Sequence, residues 1–164
     1  MSYQIRDIQS IYNQEKFLFN LHKSGYKFIY LTRSNLLYHA LSNINARMKK
    51  FHHRLNEGEL SNQPIKVEIK QVFEWIKHSE KLDKYEHDLL KEIPHISLTY
   101  EENLLHQEFH QKTVDKITEL LDIPSLPVKT NLVKLMQLEL SKMVENYEEL
   151  VQAIKNSKYA RFLD

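Results

Sequence analysis

The segment Tyr26-Lys27-Phe28-Ile29-Tyr30-Leu31-Thr32 is short, apolar and rich in aromatic and β-branched residues, and it lies between Gly25 and Arg33-Ser34-Asn35. Such a run reads as a buried strand. Behind it, from residue 36 to about 55, Leu37, Leu41, Ile44, Met48 and Phe51 recur every three or four residues, the spacing of an amphipathic helix. Asn35 stands where its side-chain oxygen can cap that helix. A strand feeding straight into a helix restricts the chain to architectures in which helices cross the face of a sheet. It also puts the Arg33 guanidinium and helix-start N–H groups at the carboxyl edge of the sheet, where anionic ligands bind. The planar fork of arginine suits a phosphate better than a lysine point charge does.

The rest of the chain is mostly helical in pattern. Residues 4–22 place Ile5, Ile8, Ile11, Tyr12, Phe17, Leu18 and Leu21 at loosely helical spacing, and Ser24-Gly25 ends that helix. Residues 56–64 read as a surface loop. A helix resumes near Val67 and runs to about Lys91, with a break expected near Ser79 and a stop at Pro94. His95-Ile96-Ser97-Leu98-Thr99-Tyr100 alternates and reads as a second strand. Residues 101–121 are expected to be helical, with Leu105, Phe109, Ile117, Leu120 and Leu121 inward. Pro124 and Pro127 break the chain, and a last helix is expected over 132–156. The fold class is therefore α/β and predominantly helical, with few parallel strands, in a single domain over 1–164. Two strands are few for such a sheet: either the chain is mostly helical or the sheet lacks neighbours.

Composition removes several function classes. With 41% hydrophobic and 27% charged residues, the 164-residue chain falls in neither the disordered nor the membrane class. A net charge of +1 supplies no basic field for nucleic acid, so no nucleic-acid partner is expected. No apolar run reaches the roughly 20 residues of a membrane span. The absence of cysteine excludes thiolate chemistry and suits a reducing compartment, and a cytoplasmic location is expected. Glycine is scarce: only Gly25 and Gly58 occur, and neither sits in a glycine-rich phosphate cradle. A phosphate site here must be built from side chains and helix ends.

Three segments, in order, carry a family likeness. The first is Lys27-Phe28-Ile29-Tyr30-Leu31-Thr32-Arg33-Ser34-Asn35 continuing to Ser42; the second is Ile96-Ser97-Leu98-Thr99-Tyr100-Glu101-Glu102. The third comprises Leu132-Val133-Lys134, Val144-Glu145-Asn146-Tyr147-Glu148-Glu149-Leu150 and Lys158-Tyr159-Ala160-Arg161-Phe162-Leu163. Together they resemble the C-terminal part of the bacterial-type sulfotransferases that use 3′-phosphoadenosine-5′-phosphosulfate (PAPS). The resemblance implies a partial P-loop-like sulfotransferase fold and transfer of a sulfuryl group from PAPS to a hydroxyl or amine. It implies PAPS, or its product 3′-phosphoadenosine-5′-phosphate (PAP), as the nucleotide and no metal. Arg33 and Ser42 would grip the 3′-phosphate, Tyr100 would lie near the adenine, and Lys134, with Lys129 as the alternative, would add a cation.

Two departures bear on activity. Arg33 precedes Ser42 by nine positions, one more than is usual in the family, and Ser34 stands where the arginine is usual. The family's glycine-containing loop for the 5′-phosphosulfate would fall before residue 1, and the catalytic base usually comes from that same part. No residue of this chain is assigned as catalytic. Sulfuryl transfer needs in-line positioning and stabilised charge. The chain is thus expected to act as an enzyme only when complemented by an N-terminal partner polypeptide. The alternative is a non-catalytic split or remnant subunit, a helical interaction module that pairs with such a partner or with itself. A helical scaffold without a nucleotide site is a third possibility.

Taken singly, the same residues have structural roles open to them. Arg33 can pair with a carboxylate, Ser42 can sit on a helix face, Tyr100 can be packed with a satisfied hydroxyl, and Lys134 can be a solvated helix lysine. His106 and His110 have i, i+4 spacing, but His-Glu-x-x-His is not matched and no third ligand is evident. The basic stretch Lys49, Lys50, His52, His53 and Arg54 reads as a helix end favoured by the dipole.

Overall fold

The computed structural model describes residues 9–48, 64–130 and 139–163. It is mostly helical with a two-stranded sheet. In chain order the elements are α1 (Gln14–Lys23), β1 (Phe28–Thr32), α2 (Leu36–Met48), α3 (Ile69–Leu90), β2 (His95–Thr99), α4 (Tyr100–Asn103), α5 (His110–Leu121), α6 (Leu140–Met143) and α7 (Tyr147–Lys155). The chain divides into two compact units: residues up to Ser34 with Ser79–Val128, and Asn35–His78 with Lys129–Asp164.

In the first unit β1 and β2 pair in parallel, with Phe28 opposite His95 and Thr32 opposite Thr99. Parallel pairing requires a long connection, and here it carries α2 and α3. Leu18, Tyr30, Leu90 and Ile93 form the buried core, flanked by Ile11, Phe17, Leu21, Phe28 and Leu89. Residues 9–13 of the expected helix lie outside α1, which begins at Gln14, and residues 4–8 of it lie outside the described residues. Ser10 takes a left-handed φ of 57°, and Asn13 caps the helix by accepting the Lys16 N–H at 3.0 Å. It ends as expected: Gly25 adopts φ 89°, a conformation that costs a residue without Cβ little.

The expected helix over 101–121 is interrupted. Asn103 Oδ1 accepts the Thr99 N–H at 2.8 Å, and the Asn103 carbonyl accepts from the Thr113 hydroxyl at 3.0 Å. The Leu104 carbonyl is met by His110 Nε2 at 3.0 Å. Side chains thus satisfy carbonyls that a continuous helix would pair with its own N–H groups. α5 ends at Asp122, itself left-handed at φ 56°.

The second unit is built on one face of α2. Leu36, Leu37, Ala40, Leu41 and Ile44 pack with Val72 and Ile76 of α3, with Ile65 and Val67, and with Leu150, Ile154, Tyr159 and Phe162 near the end of the chain. Asn35 caps α2 as its sequence position predicts, accepting the Tyr38 N–H at 3.1 Å. Its amide nitrogen donates to the Phe162 carbonyl at 3.0 Å, tying the helix start to the final turn. Arg47 stacks on Trp75, 4.7 Å from guanidinium carbon to ring centroid.

The expected helix over 132–156 is split in its described part. Val144 forms a parallel bridge with Ile65, and Asn146 bonds both backbone groups of Val67. These partners draw 144–146 out of helical geometry. α3, by contrast, runs unbroken through the buried Ser79. The helix ends expected between 49 and 55, most of the loop over 56–64, and residues 131–138 lie outside the described residues.

Candidate functional site

The parallel register determines what meets at the carboxyl ends of the strands. Thr32 is opposite Thr99, so the next residues along, Arg33 and Tyr100, come side by side. The Arg33 guanidinium carbon lies 3.4 Å from the centroid of the Tyr100 ring, a close cation–π stack. Both side chains are half-buried. Stacking engages the guanidinium through its face, while its donors lie in its plane, the direction from which arginine grips an oxyanion.

Two further groups of the same unit adjoin this pair in sequence. The exposed Ser34 donates its backbone N–H to Glu101 Oε2 at 2.9 Å, so a carboxylate is drawn to the strand edge. The Thr99 hydroxyl is fully buried and has no hydrogen-bond partner. A buried hydroxyl left unbonded is uncommon and costs free energy. Glu101 sits in the segment Tyr100-Glu101-Glu102, where the sequence pattern assigns it no role. Its pairing with Ser34, sixty-seven residues away, has no local signal.

The four residues implied by resemblance are therefore placed as follows. Arg33 and Tyr100 are brought together within the first unit. Ser42 lies half-buried on α2 in the second unit, about two turns beyond the Asn35 cap. Lys134 lies outside the described residues, and Lys129 is exposed. Of the backbone donors expected to face an anion, Ser34 N–H is engaged by Glu101 and Tyr38 N–H by Asn35.

The histidine pair is occupied in structural work. His110 bonds the Leu104 carbonyl, and the His106 ring packs edge-on against Phe109 with centroids 5.9 Å apart. Among the described residues no group of three or more His, Asp or Glu side chains is disposed to hold a metal ion. Among the same residues no helix is long and apolar enough to cross a membrane.

The chain is thus mostly helical, with a two-stranded parallel sheet compatible with the α/β class that ends in an arginine–tyrosine stack. Compared with known proteins, it matches no family model, no curated protein and no solved structure.

Proposed function

We propose that the strand-edge pair Arg33–Tyr100 binds the phosphate-bearing end of a 3′-phosphoadenosine nucleotide, and that the chain is the nucleotide-holding part of a sulfotransferase-like protein of the cytoplasm. The observation that carries this reading is the register of the sheet, which stacks Arg33 on Tyr100 at the carboxyl ends of parallel strands. Ligands of open α/β sheets bind at such ends. The residues fit the nucleotide in kind. Arg33 offers in-plane donors to a phosphate and Tyr100 offers an aromatic ring. Glu101 works against an anion and would have to give up Ser34 or turn aside.

PAPS, when bound, supplies the sulfuryl group for a hydroxyl or amine acceptor. What this chain does is hold and orient the nucleotide, and an N-terminal partner supplies the 5′-phosphosulfate loop and the base. The test is thermal melting of the chain with PAP and with adenosine 5′-monophosphate, which lacks the 3′-phosphate. PAP at a hundredfold its dissociation constant adds about 2.7 kcal/mol of stability. The melting temperature rises with PAP and not with the monophosphate; equal responses, or none, overturn the reading.

The alternative, a split or remnant interaction subunit, is favoured by a different observation. Ile29 and Leu31 of β1 are 40% and 49% exposed, whereas parallel strands are normally covered on both faces. Such exposure is an uncovered apolar face of the sheet, the kind of surface a partner covers. Mass in solution separates the two: a self-associated chain whose melting ignores PAP would place it here.

A further inference from the structure

A cavity of about 550 Å³ opens in the first unit, where the start of α1 adjoins the last turns of α3. It shares no residue with the strand-edge pair. Two tyrosines, Tyr12 and Tyr85, and two acidic residues, Glu15 and Asp88, line it, with Gln14 and Leu89 beside them. No lysine, arginine or histidine lines it. Its volume falls within the range of small-molecule sites.

One wall is fixed. Gln14 is 3% exposed, and its Oε1 accepts the Tyr85 hydroxyl at 2.6 Å, which holds that ring to α1. The other ring is presented to solvent: Tyr12 is 83% exposed. A large aromatic side chain left open beside a cavity is available to a ligand rather than to the core.

Charge and shape together select the ligand. Two carboxylates with no cation among them attract a positive charge. Aromatic faces bind an organic cation through the ring quadrupole and add apolar contact for its carbon substituents. A bare metal ion would gain nothing from the rings, and among the described residues no trio of metal-ligating side chains is present. We infer that this cavity binds a small organic ammonium ion, with the carboxylates of Glu15 and Asp88 facing its charge and the rings of Tyr12 and Tyr85 facing its alkyl groups. Because Glu15 and Asp88 are exposed, water screens the attraction, and the dissociation constant is on the order of 1 mM.

The experiment is a titration of the full chain with choline, followed by the backbone amide resonances. A matched titration uses 3,3-dimethylbutan-1-ol, which has the same shape without the charge. Saturable shifts are expected at Asn13, Gln14, Glu15, Asp88 and Leu89, with the alcohol at least tenfold weaker. The double variant Glu15→Gln, Asp88→Asn changes only exposed side chains and keeps the fold, as the dispersion of its amide spectrum checks; it weakens choline at least tenfold. Tyr12→Ala, at a solvent-exposed ring, weakens choline while leaving the spectrum dispersed. The inference is overturned by any of three results. These are no saturation by about 10 mM choline, equal binding of the neutral alcohol, or choline binding that the carboxylate variant leaves unchanged.

Discussion

Asn146 performs the work of a strand residue with its side chain, and removing that side chain should be costly. Its Oδ1 accepts the Val67 N–H at 2.9 Å and its Nδ2 donates to the Val67 carbonyl at 3.0 Å. Val67 is only 4% exposed, so water cannot readily replace either bond. Asn146 is also the residue before α7, yet it makes no side-chain cap there, because the amide is committed to Val67. In Asn146→Ala two buried backbone groups lose their partners, at about 1–3 kcal/mol for each group left unsatisfied. The donor has no second partner to turn to, while a carbonyl tolerates under-satisfaction better. A loss of about 2–4 kcal/mol is therefore expected. For a chain of this size that corresponds to a fall in melting temperature of roughly 5–15 °C. Asn146→Asp keeps an acceptor for the Val67 N–H and removes the donor, and it also places a carboxylate beside Glu149, which the Asn146 amide now bonds at 2.9 Å. It should fall between wild type and Ala. Urea denaturation followed by circular dichroism gives the free energies directly. A loss below about 0.5 kcal/mol for Asn146→Ala, the scatter of ordinary surface changes, would refute the reasoning.

Three other perturbations test separate parts of the account. Burial, and then the charges of Glu86 and Asp83, raise the Tyr30 hydroxyl to about 12, so its folded state holds the proton more tightly than the unfolded chain. The resulting stability is complete below pH 10 and is lost as pH rises towards 12. Wild type should lose more stability than Tyr30→Phe between pH 9 and pH 12, and parallel losses would contradict it. Burial and the like charges of Glu86 and Glu80 raise the Asp83 carboxyl, so that group favours folding when protonated and opposes it once ionised. Asp83→Asn should therefore be more stable than wild type at pH 7, by about 0.5 kcal/mol. The gain should shrink as pH falls through the raised folded-state range of this carboxyl and be gone once pH is below the ordinary carboxylate range, and a less stable variant at pH 7 would contradict the sign. Glu101→Gln keeps an acceptor for the Ser34 N–H and removes a negative charge from the strand edge. It should tighten PAP roughly three- to tenfold, and calorimetry showing unchanged affinity would move the phosphate elsewhere.

Local signals were readable where a single segment settled its own structure. The aromatic and β-branched run of β1, the alternation of β2, Gly25 at the end of α1 and Asn35 at the start of α2 all act through their immediate neighbours. Apolar spacing misled where a side-chain or strand partner, near or far in the chain, overrode it. Leu105 and Val144 continue a helical stripe, yet Thr113 and His110 break the first helix and Ile65 and Val67 break the last. The candidate site divides in the same way. Arg33 at a strand end was legible as chemistry, because a strand, an arginine and a cap follow one another in the chain. Its partner depended on the register of two strands far apart in sequence, which no local pattern encodes. Glu101 and the buried Thr99 hydroxyl became visible only through that register.

The most direct test of the central claim is a calorimetric titration of the chain with PAP beside the same titration of Arg33→Ala. The account predicts binding that Arg33→Ala weakens tenfold or more, about 1.4 kcal/mol. No heat of binding at millimolar PAP, or equal affinity in the two proteins, would contradict it and leave the Arg33–Tyr100 stack as a structural contact.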